Sequence, residues 1–390
     1  MQQNKTSLPY MALMAFAMTG FVCIMTETIP AGLLPEISSA MSISLSSAGQ
    51  WVTAYALGSL FAAIPLTVAT RTWNRKSVLQ MTVAGFLIFN TITAVSSNVY
   101  LTLLARLGAG AAAGLAWSLL AGYSRRIVLP HLQGRAMAIA MAGTPLALSL
   151  GVPLGTWLGH YLGWRLTFGF MSLFSVLLMI WIHISVPDSP GQLKHQKVRF
   201  RKVLDTPGVR PVLAVVLTWM LAHNILYTYI APFSALSGMG THVDAILLIF
   251  GLSAVAGLIF TGKIIDSHLR KMVLASLAVF SFVSLLLGLF ACTPSILIMA
   301  SAVWGLTFGG AATLLNTALA DAAGDGADVA ISMTVVSWNT AIALGGITGG
   351  LILQEYDVRG LPWALLVLTT ISFLIVKINR EHAFPRQTGH

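Results

Sequence analysis

Twelve runs of about 20 apolar residues, separated by polar segments, constrain this chain more than any other feature. A run of that length crosses the hydrocarbon core of a bilayer as a helix. The predicted spans are Tyr10–Leu34, Ser46–Thr70, Ser77–Val95, Val99–Gly122, Gly134–Tyr161, Leu166–Val186, Val212–Phe233, Asp244–Ile264, Met272–Phe290, Ser295–Ala320, Val329–Leu353 and Leu361–Val376. Only 9% of the residues are charged, against about a quarter in soluble domains. The sequence therefore predicts an all-α membrane protein whose first run is a retained span, not a signal peptide.

The positions of the cations indicate topology. The chain has 22 Lys and Arg against 12 Asp and Glu. If the N-terminus is cytoplasmic, 19 of the 22 cations fall on the inner side, Arg165 and Arg359 fall outside, and Arg106 lies within a span. Because cytoplasmic loops are enriched in Lys and Arg, this bias predicts cytoplasmic N- and C-termini. The positive charge then requires no nucleic-acid partner.

The two halves of the chain match at an offset of 195 residues. The matching pairs are Arg75-Lys76 with Arg270-Lys271, Gly110 and Gly114 with Gly305 and Gly309, and Gly151 and Gly155 with Gly346 and Gly350. Such a repeat is typical of transporters with two pseudo-symmetric halves and a central site. We therefore expect a six-helix bundle over residues 1–186, a polar cytoplasmic linker over 187–211 and a second six-helix bundle over 212–390. Such a pair of bundles needs no further subunit, so we expect a monomer.

Four motifs add a family resemblance that covers the whole chain. They are Thr26-Glu27-Thr28-Ile29-Pro30 in the first span, Arg106 with Gly108, Gly110 and Gly114 in the fourth, Gly151-Val152-Pro153-Leu154-Gly155 in the fifth, and Gly163-Trp164-Arg165 after it. On these residues the chain resembles the major facilitator superfamily, and within it the twelve-span drug:proton antiporters that include arabinose-efflux-like sugar, nucleoside and drug exporters. The resemblance implies a multi-pass protein of the plasma membrane, the inner membrane of a bacterium, with a role in drug resistance by efflux. It also implies an antiporter motif at Gly151, Pro153 and Gly155.

The family's gate motif is incomplete in the first half. The resemblance places this motif at Arg75 and Lys76, and in the second half at Asp266 and Arg270. Where the family has glycine and aspartate in the first copy, this chain has Thr67 and Arg71. A carboxylate clasp is therefore expected only at Asp266.

Glu27 is the one acidic residue well inside a predicted span, and Arg106 is the one such cation. Each lies about seven residues from the outer end of its span, so both sit roughly 10 Å deep and could meet. Burial favours a protonated carboxyl and an approaching guanidinium favours the carboxylate, so we interpret Glu27 as the proton carrier and Arg106 as its partner. A static buried ion pair is the alternative.

A third ionisable residue, His223, lies near the middle of the seventh span. It could relay a proton, bind a polar group of the substrate or be a hydrogen-bonded core histidine. In the family, spans one, four, seven and ten line the cavity. The expected substrate-binding residues are Trp117, Asn224, Tyr227, Trp304, Asn316, Trp338 and Asn339, although each could instead serve packing.

These features favour a proton-coupled exporter of small amphipathic molecules such as drugs, sugars or nucleosides, working by alternating access. The chain has no nucleotide-binding P-loop pattern, so an ion gradient and no cofactor would supply the energy. A proton symporter or a facilitative uptake carrier of the same fold is the main alternative. An intramembrane enzyme or sensor is disfavoured, because the chain has no zinc-protease or nucleophile-elbow motif.

Overall fold

The computed structural model describes residues 8–191 and 200–384. Within these residues, twelve helical segments are long and apolar enough to cross a membrane, and no β-strand occurs. We number them α1 (Tyr10–Gly32), α2 (Leu45–Ala69), α3 (Arg75–Val95), α4 (Val99–Arg126), α5 (Pro130–Leu162), α6 (Trp164–Ser185), α7 (Val209–Thr228), α8 (Gly240–Ile265), α9 (His268–Leu289), α10 (Pro294–Ala323), α11 (Val329–Tyr356) and α12 (Val358–Ile378). The predicted all-α class with twelve spans is confirmed, with span ends shifted by a few residues.

Several segments are not regular along their whole length. Segment α5 contains a 3-10 turn (Pro130–Leu132), helices Gln133–Met141 and Gly143–Leu146, a π turn (Ala147–Gly151) and helix Val152–Leu162. Segment α10 consists of helices Pro294–Gly309 and Ala311–Ala323. Segments α8 and α9 follow each other within one helix, Val243–Leu289, which kinks at His268. Helix Ala327–Tyr356 contains α11, and α12 opens with a 3-10 turn before helix Leu361–Ile378.

Three short helices lie between the spans, at Leu34–Met41, Phe200–Leu204 and Ile230–Ala235. The last of these separates Tyr229 from the end of α7, so Tyr229 occupies a break in the helix rather than the seventh span predicted to reach Phe233. Pro232 stands in the short helix beyond that break, where its missing N–H limits continuation of α7.

The chain divides into two compact units, each with its own buried core. The first unit comprises Met1–Ser42 and Ala54–His195, and the second comprises Ile43–Thr53 and Gln196–His390. The early residues of α2 are thus grouped with the second unit. Part of the predicted linker, residues 192–199, lies outside the described residues, so the linker and the bundle boundaries stay predictions.

The repeat at 195 residues recurs in the packing of the helices. In the first unit, a Cβ at Gly110 of α4 would overlap the carbonyl oxygen of Tyr55 in α2. In the second unit, a Cβ at Gly305 of α10 would overlap the carbonyl oxygen of Phe250 in α8. Tyr55 and Phe250 are themselves 195 residues apart. Glycine therefore permits the same close backbone approach at matching positions of both units.

Residues near several span ends differ from what the linear pattern suggests. Arg75 and Lys76, which precede the predicted third span, lie in the first turn of α3, and Arg75 is the first helical residue after an Asn74 cap. Tryptophans near span ends commonly anchor a helix at the membrane interface, but Trp51 and Trp164 are only 0% and 3% exposed. Near a span end, an aromatic residue can face either the lipid headgroups or a neighbouring helix, and the linear pattern does not separate the two.

Candidate functional site

In the first unit, α1 and α4 bring Glu27 and Arg106 into the same buried region. Arg106 is fully buried, whereas Glu27 keeps part of its surface exposed. The Arg106 Nη2 donates to the carbonyl oxygen of Thr26 at 2.5 Å, directly beside Glu27. The Thr26 carbonyl belongs to the peptide group that joins Thr26 to Glu27, so this contact brings the guanidinium to the part of α1 that carries the carboxyl. The two residues therefore form one electrostatic site that remains partly open at the carboxylate.

Other side chains hold this charged site in place. The Arg106 guanidinium lies 5.1 Å from the ring centroid of Tyr55 and 5.6 Å from that of Phe168, both within cation–π range. The Tyr55 hydroxyl donates to the carbonyl oxygen of Cys23 at 2.8 Å, which ties α2 to α1. Asn90 of α3 donates to the hydroxyl of Thr26 at 3.0 Å. Four helices besides α1 thus contribute to the position of the charges.

The residues of the predicted antiporter motif pack α5 against α1. A Cβ at Gly151 would lie 2.6 Å from the Met25 sulfur, and one at Gly155 would overlap the side chain of Ile29. Pro153 cannot donate a backbone hydrogen bond, and the π turn ends just before it. These residues let α5 approach the same stretch of α1 that carries Glu27.

In the second unit, aromatic rings from α7, α8 and α10 surround His223, which is 6% exposed. The His223 ring stacks on Phe308, with centroids 3.6 Å apart and planes inclined by 9°. Phe250 and Tyr227 lie 5.7 and 5.3 Å from it, centroid to centroid. The Trp304 indole nitrogen donates to His223 Nδ1 at 3.2 Å. We call His223, Tyr227, Phe250, Trp304 and Phe308 the aromatic cluster.

The remaining predicted substrate residues are distributed over both units. Trp338 of α11 extends the aromatic cluster, since its ring lies 6.4 Å from that of Phe308. Asn224 and Asn339 each donate to a carbonyl oxygen one turn earlier on their own helix, at 2.7 and 2.9 Å. Asn316 is half-buried, and its amide oxygen has no hydrogen-bond partner among the described residues. Trp117 belongs to the first unit, where it packs on Gly20.

The predicted gate residues bind helix ends within their own units. Arg75 Nη2 donates to the carbonyl oxygens of Thr70, at 3.1 Å, and of Arg71, at the end of α2. Lys76 Nζ donates to the carbonyl oxygen of His183 in α6 at 2.8 Å. In the second unit, Arg270 donates to carbonyls at the end of α12 and to Phe384. The Asp266 side chain lies outside the described part of the structure, so its role as a clasp stays a prediction.

Sequence reasoning missed three members of these sites. Tyr55, Phe250 and Phe308 were not singled out, because phenylalanine and tyrosine are common in apolar helices and carry no spacing signal of their own. The repeat held a usable signal: Tyr55 touches Arg106, and its counterpart at the 195-residue offset, Phe250, touches Trp304 with centroids 4.3 Å apart. Adding 195 to the number of each residue near Glu27 and Arg106, Tyr55 included, would have identified Phe250.

Comparison with known proteins agrees with this architecture. The family model described as Major Facilitator Superfamily matches residues 16–332 and 243–389. A probable sugar efflux transporter of Haemophilus influenzae (strain PittGG) is 29% identical over 385 residues, which cover 96% of each chain. A probable sugar efflux transporter of Helicobacter pylori (strain P12) is 24% identical over 386 residues, covering 97% of this chain and 99% of that one.

A solved structure also matches. It is a bacterial homolog of the human lysosomal transporter Spinster, in an inward-facing and occupied conformation. The TM-score is 0.75 at 13% identity, over 96% of this chain and 98% of that one, which shows the shared fold. The family and these relatives are transporters rather than enzymes. The twelve apolar segments, the repeated packing and these matches together place the chain in the major facilitator superfamily, as a multi-pass membrane transporter of a small molecule.

Proposed function

We propose that this transporter exports a sugar or a related small amphipathic molecule in exchange for protons that move inward. The proposal places it in a bacterial inner membrane, as a monomer with cytoplasmic termini and no cofactor. Its excess of Lys and Arg in the predicted inner segments supports the orientation. Relatives named probable sugar efflux transporters, at 24% and 29% identity, favour sugars over drugs or nucleosides.

One observation supports proton coupling: the Glu27 carboxyl is partly exposed and lies beside the buried Arg106 guanidinium. An ionisable group within a membrane span is costly and is usually functional. The carboxyl gains a proton when it is desolvated and away from the cation, and loses the proton when the guanidinium neutralises its charge. A conformational change that alters the distance between the two groups therefore changes the proton occupancy of Glu27.

Such a cycle couples proton release to alternating access. The protonated form would permit one orientation of the transporter and the deprotonated form, paired with Arg106, would favour the other. A ligand shifts such an equilibrium only by its differential affinity for the two states, so substrate and proton must prefer opposite states. Competition between substrate and proton is thus the core requirement of the proposal.

The test uses proteoliposomes with an acidic lumen and a panel of radiolabelled mono- and disaccharides. An antiporter accumulates sugar in the lumen as protons leave. We expect Glu27→Gln to abolish this accumulation and to retain counterflow exchange of sugar, which needs no proton. Glu355→Gln is the matched control, since that carboxylate is exposed, and it should retain both activities.

Two results would reject the proposal. Accumulation by Glu27→Gln at the wild-type level would remove Glu27 from the coupling and leave it a structural partner of Arg106. Accumulation only when the outside is acidic would identify a symporter that takes up its substrate.

A further inference from the structure

The hydrogen bond between Trp304 and His223 determines which ring nitrogen carries the histidine proton. The indole N–H is a donor only, and it donates to Nδ1. Nδ1 must therefore be an unprotonated acceptor, and the proton of the neutral imidazole is on Nε2. A protonated ring would place two N–H donors against each other at this contact.

The surroundings of His223 do not favour a charged ring. The aromatic rings that face it are those of Tyr227 from its own helix, Phe250 from α8, and Trp304 and Phe308 from α10. None of these four side chains is a carboxylate or another charged group. An imidazolium here would lack a counter-ion from these neighbours and would lose the Trp304 bond, so the site is unsuited to proton relay.

The other ring nitrogen, Nε2, has no hydrogen-bond partner among the described residues. His223 retains 6% exposure, and Nε2 is not one of the fully enclosed unpartnered atoms of the described structure. Nε2 is therefore a donor that lies in a nearly buried place but can still be reached. A ligand that brings an oxygen acceptor to this position would gain a hydrogen bond there.

We infer that His223 is a specificity-determining residue that donates its Nε2 proton to a hydroxyl or ether oxygen of a bound glycoside. Trp304 is a positioning residue, because it fixes the tautomer of the imidazole. Phe308, the partly exposed member of the aromatic cluster, supplies an apolar surface for the C–H groups of the sugar, alongside the polar contact that orients it. This inference rests on the proposed function only for the class of substrate, a sugar.

The repeat supports this division of roles. Tyr55 and its counterpart Phe250 occupy matching positions in their units. Tyr55 lies under the Arg106 cation, whereas Phe250 lies against the uncharged Trp304 and His223 rings. The same place in the fold thus carries charge in the first unit and an aromatic cluster in the second.

Binding to the purified full-length protein tests the contact directly. The probes are p-nitrophenyl glycosides of glucose, galactose and arabinose, with derivatives that each lack one hydroxyl. In wild type, we expect one deoxy derivative to bind roughly tenfold more weakly than its parent, the effect of one lost hydrogen bond from a buried donor. His223→Phe should weaken the parent about as much and bind parent and deoxy derivative equally.

Two further variants separate the contact from general disruption. His223→Gln, which offers an amide N–H, should regain part of the discrimination, whereas His242→Gln, at an exposed histidine, should match wild type. Unchanged discrimination in His223→Phe would overturn the inference, as would a wild-type protein that binds none of the glycosides. Glycoside binding with these preferences but without proton exchange would keep this inference and reject the proposed antiport.

A spectroscopic test needs no ligand. In protein with ¹⁵N-labelled histidine, the His223 signals are assigned by their loss in His223→Gln. Between about pH 5 and 8, where free histidine titrates, we expect a neutral ring protonated at Nε2 in wild type. Trp304→Phe removes the donor, and its His223 ring should then sample the Nδ1–H tautomer. A wild-type ring that is protonated at Nδ1, or that titrates in this range, would overturn the inference.

Discussion

The packing of the two units predicts that alanine at Gly110 and at Gly305 is strongly unfavourable, whereas alanine at Gly122 is tolerated. A Cβ at Gly110 would overlap the Tyr55 carbonyl oxygen and lie 2.7 Å from its carbonyl carbon. At Gly305 the corresponding distance to the carbonyl carbon of Phe250 is 3.0 Å. At Gly122, on the same helix as Gly110, no heavy atom lies within 4 Å.

The magnitude follows from these distances. Carbon atoms pack at about 3.5–4.0 Å and the carbonyl oxygen lies nearer than the carbon, so α4 must move by at least about 1 Å from α2 to accept the methyl group. The obstacle is backbone, which cannot rotate away as a side chain does. Overpacking of this kind costs about 1–3 kcal/mol, and alanine regains only about 0.5–1 kcal/mol through its helix propensity. We therefore expect net destabilisation at Gly110 and Gly305, and slight stabilisation at Gly122.

The assay is thermal unfolding of the purified variants in detergent, at a single scan rate because membrane proteins often unfold irreversibly. Gly110→Ala and Gly305→Ala should unfold several degrees below wild type, and Gly122→Ala at or slightly above it. Wild-type stability in Gly110→Ala would refute the close approach of α4 to α2. Equal loss in all three variants would show that glycine serves something other than packing.

Three further substitutions are expected to lower the unfolding temperature in the same assay. Tyr55→Phe removes the hydroxyl that binds the Cys23 carbonyl, at a cost of about 1 kcal/mol, while Tyr10→Phe at a residue 54% exposed should change little. Asn98→Ala removes the cap of α4, where the side chain accepts a hydrogen bond from the Leu101 N–H at 3.0 Å, and should cost about 0.5–2 kcal/mol of stability. Asn98→Asp, which can still cap the helix, should keep most of that stability. Arg165→Lys should destabilise, because one guanidinium donates to the carbonyl oxygens of Ala94 and Ser96 and stacks 4.2 Å from the Trp164 ring centroid, and an ammonium cannot do both. Arg359→Lys, at an exposed position, is its control. Unchanged unfolding temperatures in the first variant of each pair would contradict the contact it removes.

The spans were predictable because the thickness of the bilayer sets the length of a helix that crosses it. A run of about 20 apolar residues has that length and has few other roles in a protein. The repeat was predictable for a related reason: Gly110 and Gly305 permit backbone contacts that few other residues allow, so the constraint is visible in the sequence. Glu27 and Arg106 were conspicuous because ionisable residues are rare in spans. We expected the two residues to lie close together because each is about seven residues from the outer end of its predicted span, and therefore at a similar depth in the membrane.

Other features depend on three-dimensional neighbours that the linear pattern does not identify. The burial of Trp51, for example, reflects packing inside the protein rather than its place near a span end. The tautomer inferred for His223 depends on a single donor, Trp304, which lies 81 residues away in the chain. Sequence reasoning left proton relay, substrate binding and a core role open for this histidine, since a lone imidazole suits all three.

The sign of a pH change in sugar-loaded vesicles tests the central claim most directly. Proteoliposomes are loaded with sugar and an internal pH indicator, and diluted into sugar-free buffer at the same pH. Antiport predicts that the lumen acidifies as sugar leaves, and that Glu27→Gln abolishes the change while sugar still exchanges by counterflow. A lumen that becomes alkaline, or one that keeps its pH while sugar leaves the wild-type vesicles, would contradict proton antiport.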